Sequence, residues 1–125
     1  MTFLIVDDSR EKIHFLQHLI KRSGWAGEVL IAVTTEAAME LINQHTIDAA
    51  FIDYYVPSAC GPVVIRHLKK VHPNAHIALV SSADNEENSA EARAAGAEFV
   101  ICTSWQSDVV EGEILDLLKI WKIEK

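Results

Sequence analysis

Two short apolar runs in this chain each stop abruptly in carboxylates. Phe3-Leu4-Ile5-Val6 runs into Asp7 and Asp8, and Ala49-Ala50-Phe51-Ile52 runs into Asp53. A brief apolar run bounded by turn residues reads as a buried strand. Both sets of acids then fall at strand carboxyl ends, the edge at which open parallel α/β sheets bind ligands. If the two strands lie in one parallel sheet, three carboxylates converge at one mouth. Like charges that close repel strongly when partly desolvated, so a cation is needed to hold them together. The pattern points to a divalent-metal site with a reactive aspartate.

The remaining chain supplies the other elements of such a sheet. Ser9 caps a helix running to about Lys21, with Ile13, Leu16, Leu19 and Ile20 as its buried stripe and Gly24 beyond its end. A second strand covers 29–33. Thr34-Thr35-Glu36 starts a helix whose inward face carries Ala38, Leu41 and Ile42. After the strand at 49–52 and its Asp53, Gly61-Pro62 opens a third helix, proline being well suited to a first turn. A fourth strand at 77–80 ends in Ser81-Ser82. The polar, alanine-rich segment from about Asn85 to Ala95 reads as a helix with few large apolar residues, hence weakly attached. A fifth strand at 98–102 and a last helix at 108–121 follow. Uniformly apolar strands alternating with helices imply an α/β fold, a parallel sheet covered on both faces and joined by right-handed crossovers.

Length and charge narrow the function. The 125 residues suit one domain, residues 1–125, with a single real core. A net charge of −7 speaks against nucleic-acid binding, which needs a basic face. No apolar run reaches membrane-span length and no signal peptide is evident, so no membrane partner is expected. Two cysteines, Cys60 and Cys102, lack metal-type spacing and fit a cytoplasmic chain with reduced thiols. His14 and His18 stand four apart on the first helix but off its apolar stripe, and read as a solvated face. His45, His67, His72 and His76 read as surface residues.

With Asp7-Asp8 after strand one, Asp53 after strand three, Ser81 after strand four, and Asp53-Tyr54-Tyr55-Val56-Pro57 continuing to Gly61, the chain resembles the receiver domain of bacterial response regulators. The family's signature is Asp-x-x-(Met)-Pro-x-x-x-Gly, with Val56 here in place of methionine. The resemblance implies a flavodoxin-like strand order, 2-1-3-4-5. It implies that Asp53 is the phosphoacceptor, supplied by a histidine kinase, a phosphotransfer protein or a small phosphodonor. It implies Mg²⁺ held by Asp8, Asp53 and the backbone carbonyl of Tyr55, with Asp7 acting through metal-bound water; hard oxygen ligands suit this ion. Ser81 would be the switch hydroxyl on the phosphoryl group. Ser82 is the alternative, because the family's hydroxyl residue is usually followed by a small one such as Ala83.

The chain also departs from the family. Alignment on Gly96 places Thr103-Ser104 where the family has Lys-Pro. The lysine pairs with the phosphoryl group, whereas threonine offers a neutral hydroxyl, and a charge-assisted hydrogen bond is roughly twice as strong as a neutral one. Arg10, two residues beyond Asp8, is the candidate compensating cation. Without proline a cis bond would cost roughly 3–4 kcal/mol, so a trans Thr103–Ser104 peptide is expected. The aromatic switch position falls on Val100, while Phe99 faces the other side of the sheet. Trp105 is then the candidate aromatic on the surface of helix four, strand five and helix five.

The leading expectation is a receiver that signals through protein contacts in trans, since no output segment follows the last helix; its enzymology is limited to self-phosphorylation and its reversal. The alternative is a pseudo-receiver that works as an interaction module without phosphorylation. A phosphatase of haloacid-dehalogenase type would need Asp-x-Asp after strand one, and a flavodoxin-type flavin binder a Ser/Thr/Gly-rich loop; the chain has neither.

Overall fold

The computed structural model describes residues 1–82 and 85–124, with side chains through 122 apart from those of 83 and 84. Strands and helices alternate as β1 (Thr2–Val6), α1 (Arg10–Arg22), β2 (Glu28–Ala32), α2 (Thr35–Gln44), β3 (Ala49–Ile52), α3 (Gly61–Val71), β4 (His76–Ser81), α4 (Glu86–Ala95), β5 (Phe99–Cys102) and α5 (Ser107–Glu124). The strands form one parallel sheet in the order β2-β1-β3-β4-β5. This is the flavodoxin-like order expected from the sequence.

Each strand contributes alternate residues to two apolar layers. Phe3, Ile5, Phe51 and Val80 point toward α1 and α5, while Leu4, Val6, Ile52 and Leu79 point toward α2, α3 and α4. An aromatic cluster fills the first layer: Phe3 lies 4.8 Å from Phe51 and 5.1 Å from Trp25, and Phe51 lies 5.7 Å from Trp121 (ring centroids). Phe99 packs into this layer and Val100 into the opposite one, as their alternation requires.

Local chemistry sets the helix starts. The Ser9, Thr34 and Asn85 side chains accept hydrogen bonds from the first-turn amides of α1, α2 and α4. Helix α3 has no side-chain cap and begins instead with Pro62, whose missing N–H costs nothing there. Element boundaries differ from the sequence reading by a residue or so at β2, β4 and β5, and by three at the end of α5. Val33 lies beyond β2 and is half exposed. His14 and His18 are exposed as expected. The reading of all four other histidines as surface groups needs correction. His72 meets the Ile42 carbonyl through Nε2, and His76 stacks on Trp121 at 5.4 Å with Nδ1 on Glu98. The imidazole body is apolar enough to cover the sheet edge while its nitrogens find partners.

Helix α4 is anchored thinly. Ala92 and Ala95 are its buried residues, and methyl groups bury little area compared with the Val64, Ile65 and Leu68 of α3. Amide hydrogens of α4 should therefore exchange with solvent sooner than those of α3 in native-state hydrogen exchange. Equal protection of the two helices would contradict this account of the packing.

Candidate functional site

Backbone pairing continues one residue beyond the strand ends, and this is what gathers the acids. The Asp7 N–H donates to Ala32 O at 3.0 Å, and the Asp53 N–H donates to Val6 O at 2.9 Å. Asp53 is thus tied to the residue immediately before Asp7. Asp7, Asp8 and Asp53 offer carboxylate oxygens that lie within 4.8 Å of one another. Across the sheet, the Thr103 N–H donates to Ser81 O at 2.9 Å, bringing the ends of β4 and β5 to the same edge. An open cleft of about 530 Å³ lies over this edge, walled by the three acids, Ser82, Thr103 and Trp105 among others.

The acids differ in environment. Asp7 is buried; its Oδ1 accepts from the Ser9 N–H at 2.9 Å, which leads the chain into α1. Its Oδ2 is buried and accepts no hydrogen bond of good geometry, its partner being the Lys12 ammonium at 2.8 Å, an ionic contact. Asp8 is exposed and shares a shallow concavity with Tyr55 and Pro57. Asp53 has its Oδ1 held by the Tyr54 N–H at 2.8 Å and by Lys12 Nζ at 3.3 Å, and the Ser81 hydroxyl hydrogen-bonds its side chain. A cluster of hard oxygens, one of them buried without a hydrogen bond, has the chemistry of a divalent-cation site.

The loop after Asp53 is held on three sides. The Gly61 N–H donates to Tyr54 O at 2.7 Å, and a Cβ at Gly61 would stand 2.1 Å from Asp53 O, so the close return of the chain requires glycine. Pro57 O accepts from both the N–H and the hydroxyl of Thr35 at the start of α2. The Tyr54 hydroxyl donates to Glu91 of α4 at 2.7 Å, and this bond to a carboxylate pushes the phenol pKa up to about 12.

The sequence expectations for position 103 hold in part. The Thr103–Ser104 peptide is trans, as are all described peptide bonds, and Thr103 lines the cleft. Ser81 is buried and bonded to Asp53, whereas Ser82 is exposed at the cleft wall; Ala83 lies outside the described residues. Trp105 is 42 % exposed and also lines this cleft, which puts it over the acids rather than on the α4-β5-α5 surface alone. Cys102 is buried against Ser104, a core residue, and Cys60 is half-buried at the start of α3.

Arg10, the candidate cation, does not reach the acids in this structure. It is exposed at the first position of α1 and makes no contact with the acids among the described residues. The cation in contact with Asp7 and Asp53 is Lys12, at 2.8 and 3.3 Å. The helix phase explains why: with about 100° per residue, Lys12 falls about 40° from Leu16 at the centre of the buried stripe, and Arg10 about 120° away. A helical residue also leans toward the N-terminus of its helix, here toward the acids. The Ser9 cap and the Leu16-Leu19 stripe carried this signal, which counting from Asp8 misses.

The response regulator receiver domain family matches residues 3–112. The chain belongs to this family. It is 29 % identical over 120 residues to the two-component response regulator PhoP of Pseudomonas aeruginosa, a match covering 95 % of this chain and 52 % of that protein, so the chain spans about half the length of that relative. It is 32 % identical over 111 residues to the chemotaxis protein CheY of Thermotoga maritima, covering 86 % of this chain and 90 % of that protein. In structure it is similar to a CheY-like receiver domain protein of Methanospirillum hungatei, with a TM-score of 0.81 and 23 % identity over 99 % of this chain and 98 % of the other. Receiver domains are signalling modules of two-component systems, served by histidine kinases or phosphotransfer proteins, and they bind a divalent metal at an acidic cluster of the kind assembled here. Among the described residues no helix is long and apolar enough to cross a membrane.

Burial pushes the Asp53 pKa up from its ordinary 3.8; Lys12 pulls it back, Asp7 pushes it up again and the Ser81 hydrogen bond lowers it, leaving it raised. The folded chain then binds more protons than the unfolded one between 3.8 and the raised value, so stability falls as pH rises through that window. At neutral pH, above the ordinary carboxylate value, Asp53 carries this penalty. Asp53→Asn should therefore melt at a higher temperature than the wild type at pH 7 without added metal, and this advantage should vanish as pH drops below the window. A lower melting temperature at pH 7 would contradict the assignment.

Proposed function

We propose that Asp53 accepts a phosphoryl group and that the chain signals through protein contacts in trans, its phosphoryl source being a histidine kinase, a phosphotransfer protein or a small phosphodonor. The observation that carries this reading is the side chain of Asp53 at one cleft wall, gathered with Asp7 and Asp8 and bonded by Ser81. In the transfer a carboxylate oxygen of Asp53 attacks phosphorus, an O–P bond forms, and the bond to the donor breaks. The electron pair leaves on the donor's nitrogen or oxygen.

The chain's residues divide the work. The Tyr54 N–H and Lys12 fix Asp53 Oδ1, which holds the carboxylate in one orientation for attack. Ser81 is the hydroxyl that hydrogen-bonds the new phosphoryl group, with Ser82 the exposed alternative at the cleft wall. Asp8, Asp53 and the Tyr55 carbonyl would hold Mg²⁺, and Asp7 would act through its water. When bound, the ion neutralises charge on the transferring group. Tyr54 offers a route outward, since one residue touches both Asp53 and α4. The net charge of −7 favours a protein target over nucleic acid.

One observation favours a second reading. Lys12 already balances Asp7 and Asp53 without a metal, which suits a phosphorylation-independent interaction module. Intact mass after incubation with an acyl phosphate and Mg²⁺, beside an Asp53→Ala control, separates the two. A phosphoryl adduct on the wild type alone is expected. Its absence under conditions that label an ordinary receiver would favour the module.

A further inference from the structure

We propose that Lys12 is the cation that binds the phosphoryl group on Asp53, taking over from helix α1 the part that position 103 cannot play. This rests on the reading of Asp53 as the phosphoacceptor. Position 103 carries a threonine, and among the described residues that wall the cleft Lys12 is the one lysine or arginine. Its Nζ stands 2.8 Å from Asp7 Oδ2 and 3.3 Å from Asp53 Oδ1, and its side chain is 14 % exposed. The ammonium is therefore already in contact with the carboxylate that would carry the phosphoryl group.

Charge makes a cation there necessary. Three carboxylates bring three negative charges to the sheet edge, and a phosphoryl group on Asp53 replaces one of them with about two. A neutral hydroxyl at Thr103 cannot offset this. Lys12 is a compact charge on a flexible four-carbon stem, able to leave Asp7 and follow oxygens that project from Asp53 into the cleft. Its place at the third position of α1 is otherwise unfavourable, because a positive charge opposes the helix dipole at that end. The contacts to Asp7 and Asp53 are what make it tolerable.

The same geometry gives Lys12 opposite effects on two ligands. Without phosphate its ammonium competes with a divalent cation for Asp7 and Asp53, and with phosphate it adds an ion pair to the phosphoryl oxygens. Removing the charge should thus tighten one ligand and loosen the other, a sign reversal that a purely structural lysine would not produce.

Wild type, Lys12→Gln and Lys12→Met would be titrated calorimetrically with Mg²⁺ alone, and then with beryllofluoride at saturating Mg²⁺; Lys12→Met keeps the stem packing should Lys12→Gln fold poorly. The expected result is several-fold tighter Mg²⁺ binding in the variants, with beryllofluoride bound roughly ten- to a hundredfold more weakly, the range for losing a hydrogen bond to a charged group. Wild-type binding of the mimic with unchanged or tighter binding in both variants would overturn the role of Lys12 alone. Failure of the wild type itself to bind beryllofluoride or to take up phosphoryl would overturn the phosphoacceptor reading as well.

Discussion

The contact on which the site depends is the ammonium of Lys12 between Asp7 and Asp53. Parallel pairing brings the ends of β1 and β3 side by side, so their terminal acids cannot separate without breaking the sheet. Unit charges within 4.8 Å repel by about 3 to 4 kcal/mol at an effective dielectric near 20. That strain is local and specific, and it is relieved by any cation that enters the cleft. On the proposed reading, a lysine, a metal ion and a charged substituent on Asp53 would exchange at this edge.

Rigid and loose parts of the molecule are arranged around that edge. The aromatic layer of Phe3, Phe51 and Trp121 and the aliphatic layer under α3 hold β1 and β3 in register, which keeps the acids where they are. Helix α4 rests on two alanines and is joined to the site by Tyr54, whose N–H is on Asp53 and whose hydroxyl is on Glu91. A change of charge at Asp53 therefore meets a helix whose packing does little to resist movement. Val100 leaves the α4-facing side of β5 without a ring, Phe99 lying on the other side, and Trp105 lines the cleft.

Much of this was legible in the sequence, because strand ends and their acids are marked by short-range pattern. The apolar runs before Asp7 and Asp53, the Ser9 cap and the Gly61-Pro62 helix start each declare themselves within a few residues. Lys12 was not found, since its importance comes from helix phase combined with the neighbouring strand, while Arg10 looked nearer to Asp8 along the chain. The part-buried histidines were missed for a similar reason. His76 becomes structural only because Trp121, 45 residues later, lies beneath it at 5.4 Å. Distances along the chain say little about which side chains share a face.

The most direct measurement is a crystal structure of the chain with Mg²⁺ and beryllofluoride on Asp53. The account predicts Lys12 Nζ at about 2.7 to 2.9 Å from a fluorine of the mimic, the range of a charge-assisted hydrogen bond, with its contact to Asp7 lengthened. Lys12 turned to solvent, or still seated on Asp7 while another cation meets the mimic, would contradict it.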